Sequence, residues 1–428
     1  MPRPRIDLDA YRDEIERRIA QKHTHHQIRG WLAGRGVNIS KTTFSLQMVA
    51  WDASRRTRTA GTNAALIEAV ERAFHTTNHS DQMIADNITA QGIPTTRNQV
   101  EEIRLKNGWR RRANNEDQLA EMRAETFALT KQALHEGVVR CYGRGLLRTY
   151  LRIKYRHTAR EDDVRDAIAT LDIPGTESRR KGPDKGRKGG EFITPGPDWL
   201  WCCDGHDKFR NYGIEIYAGV DAYSRRIQWC YVGNSNRRAV SVLRQAITTI
   251  KKYGRCPSFF RSDRGKEVLL LADAQFSLYI LHKRSIGVAD ASEDTLRLRD
   301  CYMFGTSTAN IRIESTWMRM INSQTRPWLE FFRYLQTHGL YESDVLEDRV
   351  VFLFVFVPIL RSEINTYVDT WNEHRIRPQK YRANHVAGIP NELYADEAIR
   401  HYGWTPDATF LAQLEEAVKD VGKWSDLT

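Results

Sequence analysis

The hydrophobic pattern of this chain changes at Asp198, and that change constrains the fold more than any other feature of the sequence. Three short apolar runs follow, at residues 200–205, 214–220 and 227–232, with turn residues between them. Short apolar runs divided by turns are typical of strands in an antiparallel meander. The sequence therefore predicts that a sheet begins near residue 200.

Helices and strands alternate after the meander. The spacing of apolar residues predicts a helix over 237–253, a strand ending at Asp263, a helix over 268–282, a short strand over 301–304 and a helix from Ala309. Three antiparallel strands followed by alternating helices and strands are the order of a ribonuclease H-like layer. We therefore predict an α+β fold in which flanking helices cover a mixed five-stranded sheet.

Three acidic residues lie at the ends of these elements. Asp204 ends the first apolar run, Asp263 follows the strand that contains Phe259, and Glu314 lies in a segment with helical spacing. If the two strands run parallel and side by side, both aspartates reach one edge of the sheet and the helix can bring Glu314 in front of them. Three carboxylates in this arrangement suit a pair of divalent cations that hold a phosphate during in-line displacement.

Neighbouring acids leave alternatives open. Asp207 could replace Asp204, and Glu267 lies close to Asp263 in the sequence. Asp204 is preferred because it lies inside the strand-like run, whereas Asp207 falls in the turn that follows. Asp221 is expected to hold a turn rather than a metal.

The first part of the chain contains a repeated pattern of three short helices. Residues 7–51 and 63–112 correspond at an offset of 56, so that Gly36 matches Gly92. A short helix, a glycine turn and another short helix form the helix-turn-helix pattern, which can place one helix in the major groove of DNA. Small three-helix bundles that contact other proteins would give the same pattern, but two copies in a basic region favour DNA.

Positive charge is concentrated in the front half. Residues 1–197 hold 35 Lys and Arg against 25 Asp and Glu, residues 198–428 hold 30 against 29, and the whole chain has a formal net charge of +11. Almost all of the positive excess therefore lies in residues 1–197, which suggests that this half of the chain holds a polyanion. The basic residues expected to contact DNA are Lys41, Arg55, Arg56, Arg97, Arg104, Lys106, Arg110, Arg111, Arg264, Arg312 and Arg319.

The patterns divide the chain into seven segments. These are two helix-turn-helix units at 1–58 and 59–113, a third helical unit at 114–173, a basic Gly/Pro linker at 174–197, a catalytic core at 198–324, its helical extension at 325–390 and a tail at 391–428. The third unit is either another DNA-binding unit or a spacer. Basic clusters in the linker, at 179–181 and 187–188, suit a nuclear address or an arm that follows phosphates.

Several protein classes are not supported by the sequence. The six cysteines show no paired spacing, which favours a reduced intracellular compartment, and no apolar signal segment opens the chain. The longest apolar run, residues 350–360, is too short to span a bilayer and predicts a buried helix, so no membrane is expected. No glycine-rich loop with Gly-Lys-Ser/Thr occurs, so no nucleotide cofactor is expected.

Five motifs in the second half carry a family resemblance. They are residues 204–208, 220–225, 261–265, 305–310 and 312–315. They resemble the retroviral integrase and transposase superfamily, whose catalytic core has an Asp, Asp, Glu triad. More narrowly, together with residues 371–375 and 388–390, they look like a eukaryotic group of integrase-core proteins common in fungal genomes.

The resemblance implies an integrase core with a chemistry and a set of partners. It implies metal-dependent cleavage and transfer of DNA strands, with two Mg²⁺ or Mn²⁺ ions held by Asp204, Asp263 and Glu314. One ion would activate the attacking water or DNA 3′-hydroxyl, and the other would stabilise the departing oxygen. The expected partners are double-stranded DNA, as element ends and target, and further copies of the chain, and the expected location is the nucleus.

The chain departs from the superfamily pattern at two places. Fifty residues separate Asp263 from Glu314, more than is usual, so an insertion between Lys266 and Asp300 is expected to loop out. One helical turn after Glu314, where integrase cores commonly have a basic residue that contacts DNA, this chain has Met318. Arg312 or Arg319 is expected to contribute there instead.

Two rival functions remain beside the integrase interpretation. A domesticated, non-catalytic DNA-binding protein could keep the core as a scaffold and would still show all three acids. An RNA-cleaving hydrolase of the same fold is less favoured, because the deep, narrow major groove of RNA does not admit a helix.

Overall fold

The computed structural model describes residues 8–21, 23–51, 64–173, 176, 193–234, 238–288, 290–305, 310–378 and 386–419. The chain divides into two compact units. The first consists of residues 1–74 and 79–110, and the second of residues 75–78 and 111–428.

The described part of the first unit consists of two groups of three helices. The helices are α1 (Arg12–Ala20), α2 (His25–Ala33), α3 (Lys41–Ala50), α4 (Ala64–Thr76), α5 (Asp81–Ala90) and α6 (Arg97–Lys106). The first group encloses one hydrophobic cluster and the second group another. Each group therefore has its own small core.

The two groups repeat at the predicted offset. Helices α2 and α5 begin 56 residues apart, and so do α3 and α6. Gly36 and Gly92 have φ angles of +83° and +89° in the turns before α3 and α6, a conformation that glycine adopts without strain. Thr24 and Thr96 each form a capping box, with Gln27 and Gln99, which fixes where α2 and α6 begin.

A five-stranded sheet forms the centre of the second unit. The strands are β1 (Leu200–His206), β2 (Glu215–Asp221), β3 (Ile227–Gly233), β4 (Phe259–Ser262) and β5 (Tyr302–Phe304). Their order across the sheet is β3-β2-β1-β4-β5, with β1, β2 and β3 antiparallel and with β4 parallel to both β1 and β5. The predicted meander and mixed sheet are confirmed.

Helices cover both faces of this sheet. They are α7 (Glu116–His135), α8 (Arg144–Tyr155), α9 (Glu161–Leu171), α10 (Ala239–Tyr253), α11 (Leu269–Ser285), α12 (Ile311–Met320), α13 (Arg326–Thr337), α14 (Leu346–Asn372), α15 (Pro390–Ala395) and α16 (Ala408–Lys419). Successive strand residues point to opposite faces. Leu200 and Cys202 accordingly join a cluster with α7–α9 and α12–α14, whereas Trp201 and Cys203 join a cluster with α10, α11 and α16.

Two expectations about the second unit need correction or comment. The predicted helix over 268–282 is present as α11, which buries Leu271 and Leu278 against the sheet, so a loop between Lys266 and Asp300 is confined to the residues after Ser285. Helices α7–α9, from the segment predicted as a third unit, share a hydrophobic cluster with the sheet. The seven sequence-based boundaries stay predictions, and most of the linker, residues 177–192, lies outside the described residues.

The long helix α14 differs from the short buried helix that the sequence predicted. It has 27 residues, and among the described residues it is the one helix whose length and apolar composition would suffice to cross a membrane. Only 28% of its most apolar 18-residue window is buried inside the protein. Phe352, Val357 and Leu360 are buried in the core, but Val350 and Phe354 are 58% and 67% exposed. The expected burial of this apolar run is therefore wrong for one of its faces.

Candidate active site

The register of β1 and β4 brings two of the predicted acids to the same edge of the sheet. Leu200 pairs with Phe259 and Cys202 with Arg261 in a parallel ladder. Asp204 and Asp263 occupy equivalent positions two residues beyond the last of these pairs. Parallel strands carry equivalent residues side by side. The predicted convergence of the first two acids at one strand end therefore follows from the observed register.

Helix α12 is attached to this edge on both sides of Glu314. The amide Nδ2 of Asn310 donates a hydrogen bond to the carbonyl oxygen of Cys203 at 3.1 Å. The indole Nε1 of Trp317 donates to Oδ2 of Asp204, also at 3.1 Å. Glu314 lies four residues after Asn310 and three before Trp317, and residues at these spacings share one helix face. The exposed Glu314 therefore lies on the face of α12 that is directed at Asp204.

Asp204 has a carboxyl group whose pKa is raised to about 7. Burial is the largest cause, and the negative charges of Asp263 and Glu314 raise this pKa further. The hydrogen bond from Trp317 and one from the backbone of Gly205 oppose the shift. Both other acids of the predicted triad are thus close enough to act on Asp204 electrostatically.

The fit of these acids to divalent cations follows from their chemistry. Carboxylate oxygens are the donors that Mg²⁺ and Mn²⁺ prefer. A half-buried carboxyl whose pKa is raised mainly by burial, and further by two nearby acids, is a group whose charged form a cation would stabilise. Among the described residues, no three His, Cys, Asp or Glu side chains stand close enough together to hold a metal ion. The triad as a set of metal ligands stays a prediction.

The alternative acids have other surroundings. Asp207 begins a short 3₁₀ helix after β1, its side chain is 70% exposed, and it lies 4.0 Å from Arg210. Glu267 covers Gly265 so closely that a Cβ atom there would collide with its carboxylate. Asp221 is buried and accepts hydrogen bonds from the backbone N–H of Ser224 and of Asp198. Its predicted role in a turn is confirmed.

The residues predicted to contact DNA are placed as follows. Lys41 and Arg97 are exposed and are the first residues of α3 and α6, and Lys106 and Arg264 are exposed as well. Arg110, Arg111 and Arg312 are half-buried, and the guanidinium of Arg319 lies 5.0 Å from the ring centre of Trp371. Arg55 and Arg56 lie outside the described residues. Contact of these residues with DNA stays a prediction.

Arg104 has a structural role instead of the predicted one. It is 6% exposed, and its guanidinium forms a two-point ion pair with Asp81, with distances of 3.2 Å and 3.0 Å. It also donates to the carbonyl oxygen of Trp109 at 2.9 Å. A guanidinium engaged in this way ties α6 to α5 and is not available to a phosphate.

Sequence reasoning missed the direct partner of Asp204. In the sequence Trp317 is one of several apolar residues in a helical segment, whereas in the structure its indole donates to the carboxylate of Asp204. Its position three residues after Glu314 was the available signal, because that spacing puts both side chains on one helix face.

The sheet order and the acids at its edge define the class: a ribonuclease H-like core, preceded by helical units. The integrase core domain family model matches residues 192–406, half of the chain, and the chain belongs to this family. Membership in this family gives the chain an integrase-like role on DNA. Proteins of the family are of the polynucleotidyl transferase type and typically use divalent metals. The narrower resemblance to the fungal group stays a prediction.

Curated proteins and solved structures gave different results. A search of curated proteins gave no match. Among solved structures, the chain is similar to a chain in a cryo-EM structure of the simian T-cell lymphotropic virus intasome in complex with PP2A regulatory subunit B56 gamma. That match has 13% identity, covers 59% of this chain and 72% of that chain, and has a TM-score of 0.29. The family assignment rests on the domain match.

Proposed function

We propose that this chain is a DNA integrase or transposase-like enzyme that cleaves DNA strands and transfers them in a metal-dependent reaction. The observation that carries the proposal is the state of Asp204. Its carboxyl lies at the same sheet edge as Asp263, is bonded to Trp317, and has a pKa of about 7 in the field of Asp263 and Glu314. Like charges that meet at a half-buried edge repel one another unless a cation joins them.

Each residue of this edge has a distinct role in the proposal. Asp204 and Asp263, at the ends of neighbouring strands, and Glu314, on α12, would hold two Mg²⁺ or Mn²⁺ ions. When bound, the ions would supply Lewis-acid stabilisation of the attacking and departing oxygens of a phosphodiester. Trp317 fixes the orientation of the Asp204 carboxylate. Because Asp204 holds a proton near neutral pH, cation binding should release that proton.

The partners in this proposal are double-stranded DNA and further copies of the chain in a nucleus. Exposed Lys41 and Arg97, at the starts of corresponding helices in the two helical groups, support DNA binding. The exposed apolar face of α14 supports a homo-oligomer, because large apolar patches on a protein surface mark interfaces.

A strand-transfer assay tests the catalytic proposal. Supercoiled plasmid would be incubated with the full chain, Mg²⁺ and paired terminal-repeat oligonucleotides. Wild type should nick the plasmid and join the oligonucleotides, and Asp204→Asn should lower the rate by about 10³-fold, because a neutral amide binds Mg²⁺ weakly. Asp207→Asn, a matched control three residues away, should keep the wild-type rate.

The rival function is a non-catalytic DNA-binding protein that keeps the core as a scaffold. The observation that favours it is that the side chain of Glu314 is exposed to solvent. Binding of the oligonucleotides by wild type without nicking or joining in Mg²⁺ or Mn²⁺ would establish this alternative.

A further inference from the structure

Two neighbouring cavities in the second unit form one open trough between the start of α8 and the end of α14, here called the basic groove. Both are lined by Gly145, His374, Arg375 and Arg377, so the cavities are continuous. The larger has a volume of about 440 Å³. A water molecule takes up about 30 Å³, so this space is far larger than one small ion requires.

The lining of the basic groove is strongly positive. Its charged residues are Arg144, Arg148, Arg152, Arg319, Arg375 and Arg377, with Glu161 and Glu373. Six arginines against two glutamates leave a formal excess of four positive charges. Glu161 already bridges Arg144 and Arg377, at 2.8 Å and 3.0 Å. Such a concentration of like charge is unfavourable unless an anion occupies the groove.

The start of α8 adds backbone donors to the same place. Gly143 is its N-cap residue and makes no side-chain cap hydrogen bond, and the first turn of the helix lines the groove. The free N–H groups of a helix N-terminus attract anions. A Cβ atom on Gly145 would lie 2.6 Å from the ring of His374, so the absence of a side chain lets the start of α8 meet the end of α14.

His374 also lines the groove. Its pKa is lowered to about 4, mainly by burial and in addition by the charges of Arg377 and Arg319. The imidazole is therefore neutral at physiological pH and adds no further positive charge beside the arginines.

Arginines on α8 form a row rather than a single point. Arg144, Arg148 and Arg152 recur every four residues and thus lie on one helix face about 6 Å apart, along roughly 12 Å. Each strand of duplex DNA presents one phosphate per 3.4 Å of axis, so this row is about as long as three or four phosphates.

Arg152 is the innermost member of the row. Its Nε and Nη2 atoms are buried and have no hydrogen-bond partner among the described residues. Burial lowers the pKa of this guanidinium to about 10, and the charge of Arg148 contributes to the shift. It is still charged at neutral pH, and buried donors of a charged group are costly unless an acceptor reaches them.

We propose that the basic groove holds the phosphate backbone of duplex DNA, as a second contact region beside the acids of the candidate active site. The proposal rests on the proposed function for the identity of the polyanion. Arg319 connects the two places, since it lies on α12, the helix that carries Glu314. DNA in the groove would thus lie against an extension of the catalytic helix.

Salt dependence of DNA binding tests the groove. The full-length double variant Arg375→Gln/Arg377→Gln would be compared with wild type on a mixed-sequence duplex between about 50 and 200 mM salt. Each phosphate contact contributes about 0.9 to the slope of log K against log salt, so the slope should fall by about 2. Affinity at low salt should drop about tenfold, equally for all sequences.

Two further variants make the result specific. Arg255→Gln/Arg333→Gln removes two exposed arginines elsewhere in the second unit and should leave the slope unchanged. Arg375→Lys/Arg377→Lys should restore the wild-type slope, because a phosphate accepts either cation. An unchanged slope in the glutamine variant, an equal loss in the control pair, or no recovery with lysine would overturn the proposal.

The same proteins in the plasmid assay separate this inference from the proposed function. If wild type fails to nick or join DNA while the glutamine variant lowers the salt slope, the catalytic proposal fails and the groove stands. If wild type is active and the slope does not change, the groove fails alone. Binding of an acidic peptide that is lost in the glutamine variant, with DNA binding unaffected, would assign the groove to a protein partner instead.

Discussion

The two ends of strand β1 carry aspartates in opposite situations. Asp198 precedes the strand and lies beside Asp221, whereas Asp204 is near its other end and lies beside Asp263. Burial raises the pKa of Asp221 to about 6 and that of Asp204 to about 7. The same direction of shift thus appears at both ends, so the shift alone does not identify a catalytic group.

Hydrogen bonding distinguishes the two ends. The end of β1 that holds the fully buried Asp198 and Asp221 is here called the sealed end, and the end that holds Asp204 the open end. At the sealed end, Asp221 accepts hydrogen bonds from the backbone of Asp198 and from the backbone and hydroxyl of Ser224. Asp198 accepts from Trp201 and, at 2.6 Å, from the hydroxyl of Tyr394. These donors compensate both oxygens of Asp221 and Oδ1 of Asp198, whereas Oδ2 of Asp198 is buried without a hydrogen bond among the described residues and lies 3.6 Å from Nδ1 of His401.

At the open end, Asp204 is opposed by like charges and has few donors. Trp317 is its one side-chain donor among the described residues, and Asp263 and Glu314 make its charged form less favourable. A buried acid such as Asp221, with several donors, therefore supports the fold, whereas a half-buried acid such as Asp204, with other acids around it, calls for a cation.

The largest expected effect is a difference in strand-transfer rate between variants at the two ends of β1. Asp263→Asn should lower strand transfer by about 10³-fold, because it removes an anionic ligand without changing the size of the side chain. Tyr394→Phe, at the sealed end, should leave the rate within about threefold, since it removes only a hydrogen bond to Asp198. Product formation on plasmid DNA measures both rates, and equal losses in the two variants would contradict the assignment of Asp263 to the catalytic end.

The next largest effect is a difference in the free energy of unfolding between variants at the two ends of β1. Asp221→Ala should lower the free energy of unfolding by about 3–5 kcal/mol, because it leaves two backbone N–H groups and the hydroxyl of Ser224 without acceptors. Asp263→Ala should lower it by less than about 1 kcal/mol. Chemical unfolding followed by tryptophan fluorescence would measure the difference. A larger loss at Asp263 than at Asp221 contradicts the assignment of the sealed end as structural.

A smaller effect concerns pH in the absence of divalent metal. The pKa of Asp204 is about 7 in the folded chain and about 4 when unfolded, so between these values the folded state binds more protons. Stability should therefore fall as pH rises from about 4 to 7, by up to about 4 kcal/mol for this group. Asp204→Asn should flatten the fall, mostly between pH 6 and 7, because Asp221 titrates near 6. If Asp204→Asn loses as much stability between pH 4 and 7 as wild type does, a group other than Asp204 causes the pH dependence.

The smallest effect is stabilisation by Mg²⁺ itself. A tenfold excess over the dissociation constant should stabilise the folded chain by about 1.4 kcal/mol, seen as a rise in the unfolding temperature. The rise should disappear in Asp204→Asn and persist in Asp207→Asn and Tyr394→Phe. The same rise in Asp204→Asn would place the ion elsewhere.

Local patterns in the sequence were sufficient to predict much of the core. Alternating apolar residues and turn residues predicted three strands whose starts are within one residue of those observed, and the helical repeat at offset 56 was visible from matched glycines. The meeting of Asp204 and Asp263 followed from one assumption, that β1 and β4 are parallel neighbours.

Features that depend on distant partners could not be predicted. The burial of Arg104 depends on Asp81, 23 residues earlier, and no local pattern distinguishes an arginine with such a partner from one that is free. The basic groove joins α8 to Arg375 and Arg377, more than two hundred residues later. The composition of α14 showed that it is apolar, but which of its faces the core covers is decided by packing.

The exposed side of α14 leaves several large apolar side chains in contact with water. Leu346, Val350, Val351, Phe354 and Val355 are each more than 40% exposed. Removing roughly 400 Å² of apolar surface from water there would be favourable by on the order of 10 kcal/mol, comparable to the net stability of a whole domain. If copies of the chain meet through this helix, the melting temperature will rise with protein concentration, and dilution alone will weaken the native state.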